Sequence, residues 1–83
     1  MASNKQVAEI YDELAKKETL TMAKDDEYAI KQFKRGDIAK VLNRTRDGVM
    51  LEFDEGRPGN FIFECGLDYL VEGREALEAL EKV

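Results

Sequence analysis

The sequence predicts an α+β domain with two N-terminal helices, a small antiparallel sheet or partial barrel, and a short C-terminal helix. Three observations predict it. All six glycines and the only proline lie between Gly36 and Gly73, punctuating short runs rich in branched and aromatic residues, as the turns of a compact antiparallel sheet require. Before Gly36, apolar residues recur with a helical period instead of alternating. After Gly73 the chain turns to good helix formers. At 83 residues the chain suffices for one core but not for a second module. We therefore expect a single domain, 1–83, divided into a helical part (1–35), a β-unit (36–71) and a C-terminal helix (72–83).

The first helix begins at a capping box, in which Ser3 accepts from the first turn and Gln6 reaches back to the cap. Val7, Ile10, Tyr11 and Leu14 then fall at i, i+3, i+4 and i+7, forming one apolar face. A small domain has little other surface with which to close its core, so packing of this face on the sheet is favoured over docking on a partner or on a second copy. Tyr11 is placed at its rim. Residues 16–24 have no clean period, and Thr19 to Met22 fits a short extended piece or an irregular connector. A second helix is expected over residues 25–34. Asp25, Asp26 and Glu27 match the positive end of its dipole, Lys31, Lys34 and Arg35 the negative end, and Ala29, Ile30 and Phe33 its buried side. The acidic triplet is a poor metal site: the chain has no histidine, and adjacent carboxylates do not converge as ligands without a turn.

Four strands are expected in the β-unit, at residues 37–44, 48–54, 60–65 and 68–71. Alternation places Val49, Leu51 and Phe53 on one face of the second, and Phe61, Phe63 and Cys65 on one face of the third, as facing core rows. Cys65 is accordingly expected as a buried, inert thiol. Asp47-Gly48 signals a tight hairpin between the first two strands. Residues 55–59 have glycine on both sides of Arg57-Pro58, which marks an exposed, mobile loop of the kind on which function is often mounted. The last helix places Ala76, Leu77, Leu80 and Val83 on one side. Glu72, Glu75, Glu78 and Glu81 recur every third residue and wind around it as a solvated face.

The runs at residues 33–41, 48–56, 61–63 and 67–70 resemble the strand pattern of SH3-like small barrels, including the Tudor and KOW types. The likeness covers about half the chain and concerns fold alone. It implies a binding module, since such domains mostly bind proteins, peptides or nucleic acids and are seldom enzymes. No counterpart of a methyl-lysine aromatic cage is evident, and the acidic strands lack the basic character of many KOW domains.

Composition narrows the function classes. The formal charge is −5, and the last 35 residues carry nine acidic against three basic side chains. This balance argues against a dedicated nucleic-acid binder or an anionic membrane surface. Met1 to Lys5 lacks an apolar signal core, no run approaches the roughly 18 apolar residues of a membrane helix, and the single cysteine fits a reducing compartment, so a cytoplasmic protein is expected. Without histidine, no Ser-His-Asp or Cys-His arrangement forms. No phosphate-binding glycine loop is present either, so no cofactor is expected and an enzyme is the least favoured class. Arg35-Gly36-Asp37 matches an integrin-ligand tripeptide too short to carry weight.

The leading expectation is a non-catalytic protein-binding or regulatory module using the outer sheet edge, the loop at Glu55, Arg57, Pro58 and Asn60, and the face of Tyr11. A nucleic-acid-binding alternative rests on Lys31, Lys34, Arg35, Lys40, Arg44 and Arg46, with Lys40 and Arg44 on one strand face. A third class is an acidic nucleic-acid mimic inhibiting a DNA- or RNA-binding protein.

Overall fold

Ser3 caps the first helix as its spacing with Gln6 predicts: its Oγ accepts from the Gln6 N–H at 3.2 Å, and the Gln6 Oε1 accepts from the Ser3 N–H at 2.8 Å. The computed structural model, which describes residues 3–25 and 33–82, continues this helix, α1, over Asn4–Leu14 with Val7, Ile10, Tyr11 and Leu14 buried. Four strands follow: β1 (Thr19–Thr21), β2 (Ile38–Arg44), β3 (Gly48–Glu52) and β4 (Pro58–Ile62). They form one open antiparallel sheet in chain order. Two further helices, α2 (Phe63–Leu67) and α3 (Val71–Glu81), complete an α+β architecture. The helix expected over residues 25–34 falls outside the described residues except at its ends. There Phe33 is buried, its ring stacked on Phe53 at 3.9 Å.

Strand register sorts the side chains into two faces. Val41, Leu51 and Gly59 form one row and Arg44, Val49 and Phe61 the next, both turned toward α1 and the core. Lys40, Glu52 and Pro58 form a row on the opposite face, with Asn43, Met50 and Asn60 beside it. The core joins Tyr11 and Leu14 of α1, Leu20 and Met22, Val49 and Leu51 of β3, and Leu67, Leu70 and Leu77 of the C-terminal third. Burial on one face only is what an antiparallel sheet permits. Of the two options for Thr19 to Met22, the extended one is realised: β1 pairs with β2 along the sheet edge, and Met22 bridges Leu70.

Three expectations about the β-unit are corrected. The third strand is shifted toward the N-terminus, starting at Pro58 and ending at Ile62, so residues 55–59 do not form a long loop. Asp54–Gly56 instead makes a single tight turn, closed by the Phe53 N–H donating to the Arg57 carbonyl at 2.8 Å. Phe63 and Cys65 lie on α2, not on a strand face, and both are exposed. The core row is Val49–Phe61 and continues no further. The reason is local: Phe63 has φ 57, a left-handed conformation that ends alternation and turns the chain. Two hydrogen bonds hold that turn, the Phe63 N–H donating to the Asp47 carbonyl at 3.0 Å and the Tyr11 hydroxyl donating to the Phe63 carbonyl at 2.8 Å. The fourth strand, expected at residues 68–71, reduces to the Leu70 bridge, because Val71 already opens α3.

Phe63 should tolerate a charge. A core phenylalanine would not tolerate aspartate, but this one is 53% exposed and occupies a conformation that aspartate and asparagine adopt more readily. Phe63→Asp should therefore remain folded, with stability within about 1 kcal/mol of the parent. Thermal melting followed by circular dichroism checks this, and loss of the cooperative transition would return Phe63 to the core.

Candidate functional site: a groove between the first and last helices

Helices α1 and α3 lie side by side, which brings together two segments some sixty residues apart in sequence. Gly73 permits the approach: a Cβ there would stand 3.0 Å from Leu67 Cδ2 and 3.3 Å from Leu14 Cδ1. This explains a glycine inside a helix, where it costs about 1 kcal/mol relative to alanine. Beside that contact the two helices line an open groove of about 630 Å³. Ile10 and Leu14 of α1 and Ala76, Ala79 and Leu80 of α3 supply its apolar surface. Ile10 and Leu14 are buried beneath, whereas Ala79 and Leu80 are exposed. Leu80 is one of four large apolar side chains left exposed among the described residues, the others being Ile38, Leu42 and Phe63.

The rim is acidic. Glu9 and Glu13, one helical turn apart on α1, face Glu72 and Glu75 on α3, and among the described residues Lys17 is the one base that lines the groove. Glu13 pairs with Lys16 at 3.2 Å, both side chains largely exposed, a contact worth little in water. Glu72 accepts weakly from the Thr21 N–H at 3.4 Å. Glu9 and Glu75 make no ion pair among the described residues.

Other expected site residues are placed differently. Tyr11 is fully buried, not at a rim. Burial pushes its phenol well above the usual range, so the hydroxyl stays protonated and acts as a fixed donor to Phe63. Tyr11 therefore offers no partner-facing surface. Glu55, Pro58 and Asn60 are exposed and Arg57 half-buried. The Arg57 Nε donates to the Asp54 carbonyl at 3.1 Å, and Pro58 and Asn60 belong to β4, so these four do not form one projecting loop.

The basic cluster is dispersed. Lys31 lies outside the described residues. Lys34 and Arg35 precede β2 and Arg46 follows it, so that roughly 20 Å of strand separates the two ends. A register shift between Val41 and Asn43 turns Arg44 to the face opposite Lys40, which corrects the expectation that the two share a face. Arg44 lies under α1: its Nε pairs with Asp12 at 2.9 Å, and its terminal nitrogens donate to the carbonyls of Thr45 at 2.5 Å, Gly48 at 3.1 Å and Ala8 at 3.4 Å. That arginine ties the hairpin to the helix. In the acidic third, Asp68 and Glu78 are both engaged by Arg74. Among the described residues no group of three or more His, Cys, Asp or Glu side chains converges as a metal ion would need, and no helix is long and apolar enough to cross a membrane.

Comparison with family models, curated proteins and solved structures finds no match to this chain. The groove is thus characterised by its own geometry. Its ingredients were visible in the sequence as the i, i+4 pairs Glu9–Glu13 and Ile10–Leu14 and the small residues Ala76 and Ala79, but nothing local indicated that the two helices would meet.

Proposed function

We propose that this chain is a small, non-catalytic protein-binding or regulatory module of the cytoplasm, and that the α1/α3 groove is its docking surface. One observation carries this reading: exposed Leu80 and Ala79 continue the apolar floor of Ile10 and Leu14 into a groove of about 630 Å³, within the size range of sites that bury a ligand's side chains. The SH3-like resemblance of the β-unit supports it at the level of architecture, since such folds serve mainly as binding scaffolds. Nucleic-acid binding ranks lower, because the basic side chains are dispersed and Arg44 is occupied by Asp12 and backbone carbonyls.

Site-specific photo-crosslinking tests the proposal. A benzophenone side chain at Ala79, inside the groove, should give discrete protein adducts in native lysate that excess unlabelled chain competes away. The same group at Lys40, on the outer sheet face, should not. Equal adducts from both positions, or adducts at Lys40 alone, would move the docking surface to the sheet.

A further inference from the structure

The four acids around the groove limit what can fill it. Glu9, Glu13, Glu72 and Glu75 stand on both sides of an apolar floor; among the described residues Lys17 is the one base in the lining, and Lys16 pairs with Glu13 from outside it. A second copy docking through the same face in a two-fold arrangement would set eight carboxylates against one another. A neutral apolar segment would cover the floor while leaving Glu9, Glu72 and Glu75 without an ion-pair partner among the described residues. A segment with an apolar stripe flanked by bases satisfies both the floor and the rim, as amphipathic helices do when they lie in grooves. The groove's dimensions agree with a helix. On α3 its lining runs from Glu72 to Leu80, roughly 12 Å of helix and thus two to three turns of a partner. Ala76 and Ala79 keep that side shallow enough for a second helix to approach.

We propose that the α1/α3 groove receives an amphipathic helix of a partner protein that carries lysine or arginine on both flanks of an apolar stripe, its bases pairing with Glu9 and Glu13 on one rim and Glu72 and Glu75 on the other. The inference rests on the groove being the docking surface and adds the chemistry of its occupant.

Three synthetic helical peptides of about eleven residues, three turns long, separate the two claims. They share one leucine stripe and differ only in flanking residues, which are lysine, glutamine or glutamate. Titrated into the isotopically labelled full chain, the lysine peptide should shift backbone amides in α1 and α3 and bind roughly tenfold or more tightly than the glutamine peptide. Raising the ionic strength from about 0.05 M to about 0.5 M should remove most of that advantage. Glu9→Gln combined with Glu75→Gln should remove it too, leaving affinity for the glutamine peptide unchanged. Both acids are exposed, so these substitutions should spare the fold. Shifts in the groove with equal affinity for lysine and glutamine peptides would overturn the basic preference while keeping the docking surface. Absence of groove shifts with every peptide would overturn both. Concentration-dependent self-association through α1 and α3 would make a second copy the occupant and overturn the proposal.

Discussion

Replacing Leu51 by aspartate should remove about a third or more of the domain's stability, and nearly all of it at the lower end of the range for a chain this size. Leu51 is fully buried at the centre of β3, paired with Val41 on one side and Gly59 on the other, and no charged side chain is buried among the described residues. A carboxylate there would have no counterion and would retain its charge only at the cost of desolvation, or lose it at the cost of an unsatisfied acid. Either route costs more than about 4 kcal/mol. A domain of this size has roughly 4–12 kcal/mol of stability in total. Thermal melting followed by circular dichroism should show a transition far below that of the parent, or none, and a cooperative melt near the parent temperature would remove Leu51 from the core.

Gly48→Ala should be nearly as damaging, although it adds a single methyl group. Gly48 closes the Asp47-Gly48 hairpin signal and, as expected, is the first residue of β3, where it pairs with Ile62. An added Cβ would stand 1.8 Å from the Phe61 carbonyl oxygen and 2.8 Å from Ile62 Cα. Both are backbone atoms, so no side chain can rotate away and the β3–β4 pairing itself must open. Overpacking of this kind costs about 3 kcal/mol or more. The damage should spread, because the Gly48 carbonyl accepts from Arg44 and the neighbouring Asp47 carbonyl accepts from Phe63. Urea titration should show a midpoint lowered in proportion with the slope unchanged, and a loss below about 1 kcal/mol would mean the strands do not approach this closely.

Alternation was sound for Val49, Leu51 and Phe53, all buried, because the backbone stays extended one residue past the end of β3, through Phe53. It failed for Phe63 and Cys65, because one left-handed residue resets the pattern, and a phenylalanine carries no signal for that conformation as glycine or asparagine does. It failed for Arg44 because the shift at Leu42 exchanges the two faces, and a bulge of this kind in an unpunctuated strand has no residue-level mark. Cys65 was assigned to the core only through the strand that did not continue.

The sequence by itself determined the elements whose stabilising contacts are local. These are α1, through its capping box and 3.6-residue period, the hairpin joining β2 to β3, the helical C-terminal segment, and the acidic balance of the final third. Their partners lie within a few residues along the chain, so the spacing of residue types suffices. Tertiary structure decided the rest: which face Arg44 takes, how Tyr11 fixes the turn at Phe63 from 52 residues away, and that Glu9 and Glu13 face Glu72 and Glu75 across an apolar floor. Those outcomes depend on close approach between distant segments, made possible where Gly48 and Gly73 leave no room for a side chain, and no local period encodes them.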